Sequence, residues 1–276
     1  VFLDTDTAIF CHILGKLIAE CYADQSDSGS DLDLLSETAI ANAAHPQHLA
    51  KVVEMFSALV VNGTVRAAKP FTSSPTAIQS ATLFGLALLA FPLAHEVAHL
   101  QLGHLDRDRD RGLEVEGVNG FEPALHPYAD EFQADIQGAI LTNQLFQHRG
   151  VASIVTLTSP YIFLKAVEIV EAGGNVFAAS LVSDTHPPAN DRAAKVRAST
   201  LMFGKSLGVS SATLKDILVQ IDIVFARYQT TTISHLEECR AKGVTPRDRL
   251  LFRRGGTSDR PTILGFHPFG AAVTRA

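Results

Sequence analysis

Apolar positions recur at helical spacing through most of the chain. Ile9, Ile13 and Leu17, flanked by Leu14, Ile18 and Cys21, predict a helix over about 7–23. The polar stretch DQSDSGSD at 24–31 reads as a loop, and 32–43 has helical character. Leu49, Val52, Val53, Phe56, Leu59 and Val60 then mark an amphipathic helix that follows Pro46 and ends near Asn62-Gly63. After a connector at 67–75, residues 76–103 read as one long apolar helix or as two helices meeting at Pro92. Proline cannot donate its backbone hydrogen bond and disfavours helical geometry at Phe91. Further helices are predicted over 128–147 and about 152–172, 187–204 and 211–242. SIVTL at 153–157 and FAASLV at 177–182 fit either strand or helix, but no alternation lasts long enough for a large sheet. The fold class is therefore mainly α with little β-structure. Residues 106–123 alternate in charge and then become glycine-rich, as an exposed loop would, and 253–276 look irregular and partly extended.

Composition narrows the class. A chain of 276 residues with 46% hydrophobic side chains has ample material for a core, and 16 Phe with no Trp point to one built from aliphatics and Phe. The net charge of -6 supplies no basic field, so nucleic acid is not an expected partner. Cys11, Cys21 and Cys239 are odd in number and lack a Cys-x-x-Cys spacing, which suggests neither disulfides nor a cysteine metal site. Free thiols and no readable signal peptide suggest a cytoplasmic protein. The uncharged run 81–94 is shorter than the roughly 20 residues a spanning helix needs and leads straight into His95 and Glu96, so no convincing transmembrane segment is expected.

That run ends in HEVAHLQLGH, residues 95–104. His95 and His99 are four residues apart, about 400° around a helix, so both rings leave the same face one turn apart. Two neutral imidazoles suit zinc, and a catalytic zinc takes three protein ligands with the fourth position left for water. Glu96, beside the first histidine, could act as general base on that water. This is the H-E-x-x-H metallopeptidase pattern. The alternative, a buried helix whose histidines bond to carbonyls and carboxylates, stays open until a third ligand is found. His104 lies nine residues after His95, about 900°, on the far face of a straight helix. A supporting role, capping or pairing near the helix end, is expected for it.

YADEFQADIQGA, residues 128–139, offers the third ligand. Glu131 and Asp135 share a helix face, while Ala134, Gly138 and Ala139 are small enough to let another helix come close. Glu131 is the expected ligand, with Asp135 accepting the free N–H of a ligand histidine. Asp130 is the nearest rival and points about 100° away. In SDTHPPANDRAAKVR, residues 183–197, Pro187 and Pro188 fix the direction of His186 ahead of a helix. His186 could then donate a hydrogen bond to a developing oxyanion, and Arg192 could orient a carboxylate; taken alone, the stretch reads rather as a Pro-Pro turn with an incidental histidine and a solvated arginine.

The three stretches HEVAHLQLGH, EFQAD and THPPANDR, in this order, resemble the gluzincin peptidases of the family containing the CAAX prenyl endopeptidase, HtpX and Oma-type proteases. The resemblance spans roughly 84–197 and implies zinc on His95, His99 and Glu131, Glu96 as base, Asp135 behind the ligands, and active-site roles for His186 and Arg192. It implies a zincin-like fold in which the H-E-x-x-H helix packs on a second, ligand-bearing helix. The chain departs from that family in lacking transmembrane helices of convincing length; a phage-related or bacterial regulatory peptidase is a nearby resemblance. The expected organisation is a helical region 1–75, a zinc metallopeptidase core 76–205, and a helical region with an irregular tail 206–276, packed as one compact domain. The expected activity is zinc-dependent hydrolysis of peptide bonds in a peptide or protein substrate. The competing expectation is a non-catalytic helical interaction module holding a structural metal or none, with His126 or Glu122 as examples of a closing fourth ligand.

Overall fold

Helices account for every regular element among the described residues of the computed structural model, which are 5–22, 37–104, 128–147, 153–177 and 186–247; no strand occurs among them. They are α1 (Thr5–Tyr22), α2 (Glu37–Ala44), α3 (Pro46–Asn62), a 3-10 turn at Val65–Ala67, α4 (Ile78–Gln101), α5 (Tyr128–Gln147), α6 (Ser153–Val176), α7 (Ala189–Ser206) and α8 (Ser211–Ala241). The mainly helical expectation holds. SIVTL at 153–157 lies inside α6, where burial on several sides explains its lack of periodicity. Most of FAASLV, the loops at 24–31 and 106–123, the tail 253–276, Glu122 and His126 lie outside the described residues.

α4 is the central element. Pro92 does not divide it, because the missing amide leaves only the Leu88 carbonyl without its helical partner while packing holds the rest. On one side Gly85 meets Gly15 of α1 so closely that a Cβ at Gly15 would lie 2.5 Å from the Gly85 nitrogen. On another, Phe91 packs edge-on against Phe163 of α6 at 5.6 Å, and Phe163 continues through Phe10 of α1 to Phe56 of α3. The core they form is continuous with Ile217, Ile221 and Phe225 of α8. Among the described residues α4 alone is long and apolar enough to cross a membrane, and 44% of its most apolar window is buried within this packing.

A polar cluster ties three helices together away from the motif helix end. Cys21 of α1, His48 of α3 and Tyr228 of α8 are all buried. Cys21 Sγ lies 2.9 Å from Tyr228 Oη and 3.3 Å from His48 Nε2, and the latter two atoms are 2.6 Å apart. Cys11 is likewise a buried free thiol, and Cys239 is a partly exposed one.

Candidate metal centre

The two helices that carry the candidate ligands meet because α5 has no side chain where they cross. Gly138 lies one helical repeat beyond Glu131, and a Cβ there would stand 2.9 Å from the backbone nitrogen of His95. Glu131, Asp135 and Gly138 recur at i, i+4 and i+7, so the face that allows the approach also delivers the carboxylates to α4.

His95 and His99 are both buried, with their Nε2 atoms 3.1 Å apart. Glu131 Oε1 lies 3.4 Å from His99 Nε2, and Glu131 Oε2 lies 3.5 Å from His95 Nε2. Zinc–ligand distances of about 2.0–2.1 Å in a tetrahedron put neighbouring donors about 3.3–3.4 Å apart, the spacing seen here. The His–His distance alone also suits a hydrogen bond. Glu131 adds to the zinc fit, because its Oε2 is buried and, among the described residues, has no donor in hydrogen-bonding alignment. Two imidazoles and one carboxylate around such an oxygen fit zinc, which accepts both ligand types.

His186, placed by the turn before α7, is the fourth group at this point. Its Nε2 is 3.2 Å from Glu131 Oε2, and donor atoms of His95, Glu131 and His186 all lie within 4.8 Å of one another. Glu96, adjacent to His95, is half-buried, and among the described residues nothing hydrogen-bonds to its carboxylate.

Behind the donors stand two supports of different length. Asp135 Oδ1 lies 3.0 Å from His95 Nδ1, close in distance though off the hydrogen-bond line. Arg192 clamps the same carboxylate with Nε to Oδ2 at 2.8 Å and Nη2 to Oδ1 at 2.7 Å. Arg192 is thus paired with a carboxylate, that of Asp135, which faces His95. On the other ligand, His104 Nδ1 is 3.0 Å from His99 Nδ1, and His104 Nε2 is 3.8 Å from Asp130 Oδ1.

His104 corrects one premise of the sequence reading. The far-face argument assumes a straight helix, whereas α4 ends at Gln101 and Gly103 takes φ 67°, which turns the chain back so that His104 is fully buried against His99. The glycine just past the helix end was the available signal. Asp130 does leave the Glu131 direction, but it is buried and faces His104.

Charge balance explains the protonation of each group. Burial works against charge on His95, but Asp135 and Glu131 outweigh it and raise its pKa to about 9. Burial also works against Glu131, yet the adjacent His95 ring and the nearby His186 lower it to about 2. Asp135, likewise buried, is held far below the usual carboxylate range chiefly by the Arg192 fork. His186 is dominated by its own burial and falls to about 4, so its ring is neutral near pH 7.

Comparison of the chain with models of protein families, with curated proteins and with solved structures finds no match. What the centre can do rests on its own geometry.

Proposed function

We propose that the chain is a zinc-dependent endopeptidase of gluzincin type, its zinc held by His95, His99 and Glu131. The observation that carries this is the convergence of three buried donors at 3.1–3.5 Å on helices α4 and α5. Bound zinc would polarise a scissile carbonyl and lower the pKa of water. Glu96, one residue from a proposed ligand and without a hydrogen-bond partner among the described residues, takes the proton of the attacking water and returns it to the leaving amine. The neutral ring of His186 donates a hydrogen bond to the carbonyl oxygen as charge develops there. Arg192 and Asp135 keep the His95 ring in place.

The test is metal analysis beside turnover of a mixed quenched-fluorescence peptide pool. One equivalent of zinc is expected in the parent chain and in Glu96→Gln. Turnover in Glu96→Gln should fall by about 10²–10⁴-fold, and full activity in that variant would sink the mechanism.

A second reading has its own observation: the 3.2 Å approach of His186 to Glu131 suits a fourth ligand that closes a structural site. His186→Ala separates them. Under the peptidase reading zinc stays and turnover drops; under the structural reading zinc affinity collapses.

A further inference from the structure

The backbone that presents His186 offers few places to hold it. Pro187 and Pro188 follow, and neither has an amide hydrogen. The first backbone donor after His186 is therefore the amide of Ala189, at the start of α7. Pro188, at the N-cap of α7, supplies no side-chain cap. The Ala189 amide instead donates to Glu171 Oε2 of α6 at 3.0 Å, a cap delivered from 18 residues back. A carboxylate there both satisfies an end amide and matches the positive end of the helix.

Two side chains of the metal centre hang from this point. His186 is three residues before Ala189, and Arg192, which clamps Asp135, is three residues after it. The proline rings fix φ at both intervening residues, so a shift of Ala189 carries to His186 instead of being absorbed by the turn. Neighbouring Glu168 is three residues away on the same helix and pairs with Lys165, so it does not share this task.

We propose that Glu171 is a positioning residue: by holding the Ala189 amide it sets His186 beside Glu131 at the metal centre. Its kinetic consequence rests on the peptidase reading above, whereas its structural consequence does not.

The decisive comparison is between crystal structures and kinetics of the parent chain and Glu171→Ala. In the variant His186 should move from Glu131 by about 1 Å or more, and kcat should fall by about a hundredfold, with KM and zinc content unchanged. Glu171→Gln keeps an oxygen able to accept the Ala189 amide and should recover most of the loss; Glu168→Ala should change turnover less than twofold, roughly the noise of such controls. In a His186→Ala background, adding Glu171→Ala should cost nothing more, because the effect passes through that ring. If Glu171→Ala does not fold, Glu171→Asp withdraws the carboxylate by one methylene and carries the same measurements. An unmoved His186, or a loss that adds fully to that of His186→Ala, overturns the proposal. If no chain cleaves peptides yet His186 shifts in the variant, the peptidase reading falls and the positioning role stands.

Discussion

Among the described residues, buried histidines stand in two polar clusters that differ in what surrounds the rings. At one, His95 and His99 face Glu131 with Asp135 behind, the donors 3.1–3.5 Å apart. At the other, His48 meets Cys21 and Tyr228 at 3.3 and 2.6 Å. A zinc holding sulfur at about 2.3 Å and nitrogen at about 2.05 Å would set them about 3.6 Å apart. The second cluster is tighter than that, as hydrogen-bonded neutral groups are. Burial lowers His48 to about 4 and raises Cys21 to about 12, so neither ionises near neutrality. Burial opposes charge at His95 too, but there carboxylates reverse the outcome. Histidine and burial are common to both; the carboxylates give one of them the donor set of a candidate metal centre.

The comparison breaks most sharply on the groups that differ. Glu131→Gln should lower zinc affinity by more than about a hundredfold, beyond what loss of an outer partner costs. His48→Ala should leave zinc affinity alone and destabilise the fold by about 1–3 kcal/mol, because Tyr228 and Cys21 lose a buried partner. Isothermal titration with zinc and urea unfolding of both variants check the pair. Zinc loss in His48→Ala that matches Glu131→Gln would erase the distinction.

A smaller effect appears as two pH limbs of opposite sign in the metal-free protein. His95 is raised from an ordinary 6.5 to about 9, so its contribution is fully present below pH 6.5 and is lost as pH rises through 9. His48 is lowered to about 4, so the unfolded chain takes the proton first, and stability present above pH 6.5 is lost as pH falls toward 4. Each limb is worth about 3 kcal/mol at 1.36 kcal/mol per pKa unit. Asp135 raises His95 most, and the Glu131 contact that adds to it also holds Glu131 low, so the two shifts share that one interaction. Urea unfolding across pH should show His95→Ala flattening the alkaline limb and His48→Gln the acid one. Zinc, which needs a neutral imidazole, should suppress the His95 limb.

How far the sequence carried the picture depended on locality. Helices with a clear apolar stripe were legible, and α5 begins and ends where its pattern does. The pairing of Glu131 with Asp135 was legible because both lie one turn apart on one helix. So was the meaning of Gly138, since a missing side chain admits a neighbour whichever neighbour it is. What the pattern hid depends on turns and on contacts between distant elements. Gly103 reverses the chain beneath His99 through one positive φ, which a helical projection through residue 104 does not contain. Glu171 on α6 caps α7, an arrangement with no trace in either helix's own periodicity. Cys21, His48 and Tyr228 come from three helices, and each looks locally like a core residue.

The finest comparison lies within the candidate metal centre, between its two supports. Asp135 is fully buried and stands 3.0 Å from the ligand His95, with Arg192 fixing its plane. Asp130 faces His104, which stands against His99, and its contact with His104 is 3.8 Å. A carboxylate steers a neighbouring ring through close polar contact, so its influence should fall with distance and with each intervening group. Asp135→Asn is expected to weaken zinc binding by about 10–100-fold, and Asp130→Asn by about tenfold at most. Because Asp135→Asn also strips a buried arginine of its charged partner, Asp135→Asn with Arg192→Gln is measured beside it. Competition with a zinc-binding dye ranks the three variants. Equal losses at Asp130 and Asp135 would mean that His104 passes on the full effect of its carboxylate, making the two ligand histidines equally supported despite the longer route to one of them.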